Sequence, residues 1–250
     1  MVVRETALLH PMTGYKRLTY LLQNDAIAGV RAHQVYNFLK SESLIRTRPA
    51  FGPLELRRPE PPGYPNQVWH VDIMYLHLKK RWWYLVDIID GYSRYLVHWT
   101  LNPTMLTDTV TLTILEALEM WEPEKPPVIV HDSGSQFVSK DWKQFAAHHG
   151  LPDVRTRVAH PQSNGRLERL HRTHREEGVL GAADWDSDQA KAMLQKWNVT
   201  YNDLRPHLAL KGLPPTVYYL GEPQAALAQR EHYVLSQAKI RADYWKQNHA

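Results

Sequence analysis

No cysteine occurs in the 250 residues, which excludes disulfides, thiolate catalysis and cysteine-based zinc sites together. No run of 18 apolar residues is present, and the N-terminus carries no signal-peptide core. Internal repeats and low-complexity stretches are missing as well. Nor is one sign of charge in large excess, the formal net charge being +4. Its distribution is uneven, however. Residues 1–66 hold nine Lys/Arg against five Asp/Glu, residues 67–180 hold 13 against 14, and residues 181–250 hold eight against seven. The basic surplus sits at the front, with a local cluster at Arg166, Arg169, Arg172 and Arg175. A DNA partner is compatible with this, although bulk charge alone supports it weakly. A soluble, intracellular chain without a membrane partner is the expectation, with ample length for one large or two small domains.

Proline divides the chain. Six of the 17 prolines fall between Arg48 and Pro65 (Pro49, Pro53, Pro59, Pro61, Pro62 and Pro65). Such a segment continues neither a helix nor a central strand. Residues 47–66 therefore read as an extended linker, reaching on the order of 50 Å at roughly 3 Å per residue. Ahead of it, residues 1–46 show two helical patterns. One has Leu18, Leu21 and Leu22 on one face, and the other Val35, Phe38 and Leu39. With a break at Gly29 between them, they suit either a helix-turn-helix or a helical hairpin that only packs.

Beyond the linker, Val68–Leu78, Arg81–Ile89 and Tyr92–Thr100 are rich in aromatic and β-branched residues, with tight turns expected at Lys79-Lys80 and Asp90-Gly91. A helix at Met105–Trp121, a strand at Val128–His131, a helix at Lys140–His149 and a strand at Asp153–Thr156 follow. A helix from Gly165 to Glu177, ended by Gly178, comes next. Three antiparallel strands and then alternating helix and strand describe an α/β, ribonuclease H-like mixed sheet flanked by helices. It would occupy residues 67–222, behind a small all-α helix-turn-helix-like module. Residues 185–204 read as another helix, and 223–250 as a polar helical extension of unassigned role.

Three acids stand out. Asp72 interrupts the apolar run Val68-Trp-His-Val-Asp-Ile-Met-Tyr-Leu76, which is costly unless the carboxylate is paired or bound to a metal. Asp132 closes Val128-Ile-Val-His-Asp and opens a Ser-Gly-Ser segment, so by itself it is equally a turn former. Glu168 lies in a first helical turn, where the helix dipole alone would favour it. Taken together, carboxylates from two strands and a helix can converge on a pair of hard divalent cations, Mg²⁺ or Mn²⁺, suited to phosphodiester chemistry. Asp72 would bridge the two ions, with Asp132 on one and Glu168 on the other. Asp87, also inside an apolar strand, reads as a bystander, and Asp90 as a turn residue. His171 and His174 show no further ligands nearby in sequence, and His131 reads as a strand-end residue able to touch the site. His148-His149 reads as a helix end. Trp82-Trp83 suits core packing or base stacking.

These residues resemble a known family. The acidic triad with 35 residues between Asp132 and Glu168 matches the retroviral integrase superfamily. So do Trp69-His-Val-Asp72, Asp90-Gly-Tyr-Ser-Arg94, Asp132-Ser-Gly-Ser-Gln-Phe137 and Pro161-Gln-Ser-Asn-Gly165. Tyr201-Asn202, Arg205-Pro206-His207 and Leu213-Pro-Pro215, with His10-Pro-Met-Thr-Gly-Tyr-Lys-Arg17 upstream, resemble the catalytic frame of bacterial insertion-sequence transposases. The lack of cysteine excludes the His/Cys zinc module of retroviral integrases. The resemblance implies metal-dependent DNA cleavage and strand transfer, on double-stranded element ends and target, by a homo-oligomer. It also implies a cytoplasmic, nucleoid-associated site of action, and a partner helix-turn-helix protein from a preceding frame. DNA contacts are expected from Arg172, Arg175 and Arg166, though the first two also suit an exposed face balancing Glu176 and Glu177. Lys16 and Arg17 are expected to touch DNA from the N-terminal helices. Ser163 and Asn164 would cap the Glu168 helix. Two rivals remain: a ribonuclease H-like nuclease that cuts without joining, and a catalytically idle DNA-binding remnant.

Overall fold

A computed structural model describes residues 2–45, 61–132, 134–155, 169–179 and 182–248. Two compact units make up the chain, one from Met1–Leu54 with Asp203–Ala250, the other from Glu55–Asn202. Most of the expected linker, Glu168, Arg166 and the cap residues Ser163 and Asn164 lie outside the described residues.

The second unit is built on a five-stranded sheet. Its strands are β1 (Val68–Leu78), β2 (Arg81–Asp90), β3 (Leu96–Asn102), β4 (Val128–His131) and β5 (Asp153–Arg155), in the order β3-β2-β1-β4-β5. The first three form an antiparallel meander, and β4 and β5 run parallel to β1. Lys79 and Lys80 both take left-handed backbone, φ 38° and 65°, the turn whose twist matches that of a tight hairpin. The β2–β3 connection is longer than expected, so the third strand starts at Leu96 rather than Tyr92. Asp90 is the cause. Its carboxylate accepts the backbone N–H groups of Asn66, Tyr92 and Ser93 and the Ser93 hydroxyl, and so organises the residues after it as a turn.

Both faces of the sheet are covered. Helix α4 (Thr107–Trp121) packs on one, with the Thr113 and Thr100 hydroxyls 2.6 Å apart and the Trp121 indole donating to the Val97 carbonyl. A short helix α5 (Ser135–Val138), not expected from the sequence, precedes α6 (Lys140–His148). The other face meets α7, which comprises residues 169–173 and the π-helical turn His174–Gly178, and α8 (Ser187–Val199). Met74, Leu76, Leu78, Leu85 and Leu101 pack there against Val179, Ala182, Ala190 and Leu194. Ile89 and Leu96 meet Leu170, Trp197 and Tyr201. Gly178 closes α7 where a Cβ would stand 3.1 Å from the Trp197 indole. Even residues of β1 and odd residues of β2 therefore form the face toward α7 and α8.

The first unit contains α1 (Val2–Leu9), α2 (Tyr15–Asn24) and α3 (Ala32–Ser41) around Leu18, Leu21, Leu22, Val35 and Leu39. It also holds α9 (Pro215–Tyr219) and α10 (Pro223–Asn248). Helix α10 lies against the α2–α3 connection. Arg230 donates to the Asn24 side-chain oxygen, Tyr233 to the Ala26 carbonyl and Arg241 to the Gly29 carbonyl. Those carbonyls have left one helix and not entered the next, so side-chain donors satisfy them. No described helix is long and apolar enough to cross a membrane.

Candidate active site

Register places the acids. Strand β1 pairs with β4 as Val68 with Val128, Trp69 with Ile129 and His70 with Val130. Carried two residues further, the same offset sets Asp132 beside Asp72, on strands roughly 4.8 Å apart. On the other side of β1, Asp72 is the direct partner of Asp87 on β2, and directly opposed residues project from the same face. Three carboxylates thus form a row across β4, β1 and β2, on the side covered by α7 and α8. Asp72 and Asp132 are half-buried, whereas Asp87 is fully buried.

Local contacts fix each acid. One Asp72 oxygen accepts the Ile73 N–H at 2.9 Å, and the other stands 3.5 Å from His171 Nδ1. Asp132 accepts the Gly134 N–H at 2.8 Å, where an added Cβ would crowd that carboxylate. His131 is buried, with one ring nitrogen 2.5 Å from the Asp132 carbonyl oxygen and the other 2.5 Å from an Asp153 carboxylate oxygen. Its ring stacks on Phe137 at 4.2 Å. His131 therefore braces the turn that carries Asp132 instead of facing a ligand.

Burial chiefly raises the Asp72 carboxyl to about 6. His171 and the Ile73 N–H pull it down, while the charges of Asp132 and Asp87 push it up. For Asp87 burial is again the largest effect and acts upward, yet His174 and His171 outweigh it and hold the carboxyl below its ordinary range. Burial disfavours the charged form of His171, but Asp87 and Asp72 together raise its imidazole against the opposing charge of Arg175.

Sequence reasoning set Asp87, His171 and His174 aside, yet the structure brings them together. Both imidazole Nε2 atoms lie 3.3 Å from Asp87 Oδ2, within ion-pair reach but not aligned as hydrogen bonds. The readable signal was an i, i+3 histidine pair combined with an acid inside an apolar strand. On the same helix Arg172 and Arg175 face outward to solvent. In the first unit Lys16 is exposed, 6.0 Å from the Tyr15 ring centre, and Arg17 is half-buried.

Hard oxygen donors on adjacent strands suit a hard divalent cation. A bound cation would offset the burial that chiefly lifts Asp72, and the lesser repulsion from Asp132 and Asp87, so the residues present fit one. Among the described residues no set of three or more His, Cys, Asp or Glu is arranged to hold a metal ion. Glu168, the expected third donor, lies outside the described residues, which resume at residue 169.

Comparison with known proteins points the same way. Residues 63–161 and 150–215 each match the family described as the integrase core domain. An uncharacterised protein of insertion element IS136 from Agrobacterium fabrum is 33% identical over 137 residues, covering 52% of this chain and 70% of that protein. The transposase for insertion sequence element IS904 of Lactococcus lactis is 30% identical over 148 residues, 58% of each chain. Transposase InsF of IS3A from Escherichia coli is 29% identical over 154 residues, 60% of this chain and 53% of that one. The chain thus spans little more than half the length of these two transposases. Among solved structures, a chain of the simian T-cell lymphotropic virus intasome superposes with a TM-score of 0.55 at 18% identity, covering 88% of this chain and 74% of that one. The HTLV-2 integrase catalytic core in complex with magnesium gives 0.50 at 18%, covering 62% and 97%. These two share the fold.

Proposed function

The chain belongs to the integrase core family, and from that membership we propose that it is an insertion-sequence transposase that cuts element ends and joins them to target DNA. One observation carries this reading. The β1–β4 register, carried two residues on, sets Asp72 and Asp132 side by side on the sheet face that α7 covers, while Arg172 and Arg175 are exposed on that helix.

In this proposal Asp72 and Asp132, with Glu168, hold Mg²⁺ or Mn²⁺ in a two-ion site. When bound, such ions supply an activated oxygen nucleophile and a stabilised leaving oxygen. The polypeptide contributes position and charge. Asp72 is oriented by the Ile73 N–H and His171, and Asp132 by the Gly134 N–H and the His131 brace. Arg172 and Arg175, with Arg166, hold the DNA backbone through phosphate contacts. In the first step a water oxygen bonds to phosphorus, the bond to the 3′ oxygen breaks, and that oxygen takes a proton. In the second, the 3′ hydroxyl attacks another phosphodiester and displaces its leaving oxygen, so the phosphodiester count is conserved.

Base reading falls to the N-terminal helices. Helix α3 exposes Arg31 just ahead of it and then Gln34, Asn37 and Lys40, side chains that can pair with purine edges in a major groove. Lys16 and Arg17 lie on the preceding helix. A homo-oligomer acting on the nucleoid, assisted by a partner helix-turn-helix protein, completes the proposal.

The test is a time course on labelled duplex carrying the element's own ends, with Mg²⁺ or Mn²⁺, comparing wild type with Asp132→Asn and Glu168→Gln. Nicked and joined products in the wild type alone support a transposase. Nicking without joining supports the nuclease reading, and DNA binding without any cleavage supports an idle remnant. Cleavage by Asp132→Asn would show that the proposed site is wrong.

A further inference from the structure

Asp87 has no part in the chemistry above, yet it occupies a demanding place. It is fully buried between the sheet and α7, on the same face as Asp72 and directly opposite it. Burying an ionised carboxylate is expensive, and well-packed apolar side chains in place of a buried ion pair are often neutral or stabilising. Fold stability alone therefore gives this cluster no reason to be charged.

The contacts suggest another role. Asp87 Oδ2 gathers His171 Nε2 and His174 Nε2 at 3.3 Å each. The His174 ring is held in turn against Trp197, 4.0 Å between ring centres. His171 turns its other nitrogen toward Asp72 Oδ2 at 3.5 Å, while Asp72 Oδ1 is fixed by the Ile73 N–H. The side chains thus form a continuous run, Trp197 to His174 to Asp87 to His171 to Asp72, that starts in the core and ends on a proposed metal ligand. Asp87 holds the Nε2 end of the His171 ring at 3.3 Å, and its removal would take that charged restraint from the ring.

We infer that Asp87, steadied by His174, is a positioning residue that fixes the His171 ring and through it the carboxylate of Asp72, so that the site is shaped before a cation arrives. This rests on the reading of Asp72 as a metal ligand. Outer partners of metal ligands typically account for 10–100-fold in affinity.

The test uses the full chain and Mn²⁺ alone, with free ion counted by electron paramagnetic resonance and folding followed by thermal melting. Asp87→Asn should melt cooperatively and bind Mn²⁺ about 10–100-fold more weakly than wild type. Wild-type affinity in a folded Asp87→Asn overturns the inference. Asp72→Asn should lose Mn²⁺ binding; if it binds as wild type does, the reading of the metal site fails instead. A wild-type measurement decides the matter should Asp87→Asn not fold. On adding Mg²⁺, the ring ¹⁵N resonances of His171 should shift, and so should those of His174, which reaches Asp72 along this run through Asp87 and His171. A His174 signal that stays still while His171 moves overturns the inference. So does stoichiometric zinc that co-purifies with wild type and is lost in Asp87→Asn, because the cluster would then be a metal centre itself.

Discussion

Replacing Asp72 by Asn should make the protein more stable while destroying its proposed site. The Asp72 carboxyl rises from 3.8 to about 6 on folding, chiefly through burial. A carboxyl raised in the folded state binds more protons there than in the unfolded chain between those two values. Stability is therefore greatest below the unfolded value and falls as pH climbs through about 6. The shift of roughly two units corresponds to about 3 kcal/mol at neutral pH and above. That figure is an upper value, since the side chain is 18% exposed and water relaxes around it. Asn carries no such cost. In EDTA at pH 7.5, Asp72→Asn should exceed wild type by up to about 3 kcal/mol, or about 6–12 °C in Tm for a unit of this size. At pH 4 the gap should close, because wild type is then protonated at this position. Excess Mg²⁺ at pH 7.5 should also narrow it, since a ligand at 100 times its Kd adds about 2.7 kcal/mol to the state that binds it. Paired urea titrations at the two pH values are sufficient. An Asn variant no more stable than wild type at pH 7.5, or equally advantaged at both pH values, would refute the argument that burial and the neighbouring carboxylates load this site.

Other expectations are equally direct. Asp90→Ala strips the acceptor from three backbone N–H groups and a hydroxyl in a buried turn; at about 1–3 kcal/mol per stranded group, partly recovered by water, it should cost about 3–5 kcal/mol in urea unfolding. Gly212→Ala places a Cβ on a backbone with φ +82° and into the Tyr20 ring. Left-handed strain of about 1–2 kcal/mol and overpacking of about 1–3 kcal/mol should together lower the stability of the first unit, followed by hydrogen exchange in α2. Arg172→Ala with Arg175→Ala should weaken DNA binding uniformly across sequences and flatten the log Kd against log salt plot by about 1.8; an unchanged slope would return both residues to a merely solvated face.

The meander was readable because β1 and β2 are long, largely apolar and end at turn residues; β1 and β4 begin and end where the sequence placed them. The third strand was misplaced because Tyr92 and Tyr95 look like strand residues, whereas Asp90 captures the amides after it and delays pairing until Leu96. Helix α5 escaped notice because four residues carry no period. Helix α10 was visible as a helix, but its place was not. Arg230, Tyr233 and Arg241 act by reaching carbonyls some 200 positions earlier, and no local pattern encodes such a partner. Asp87 escaped for a related reason. An acid in an apolar run signals cost, but its compensation by His171 and His174 depends on β1–β2 pairing and on how α7 lies across the sheet.

That dependence bears on the site as a whole. Asp132, Asp72 and Asp87 are 60 and 15 residues apart in sequence, yet strand register places them in one row on one face. The row is graded. Asp132 and Asp72 keep contact with solvent, while Asp87 lies in the core with two imidazoles. In the proposed site a cation would enter at the open end, where it would meet two carboxylates whose charges oppose each other. At the closed end the compensating charge is already built in. His171 touches both ends, so the charge held at Asp87 and the charge displayed at Asp72 cannot be altered independently. Substituting either acid should therefore change the energetics of the other, and a double-mutant cycle between Asp72→Asn and Asp87→Asn should be non-additive by 0.5 kcal/mol or more, on the order expected for residues in one network.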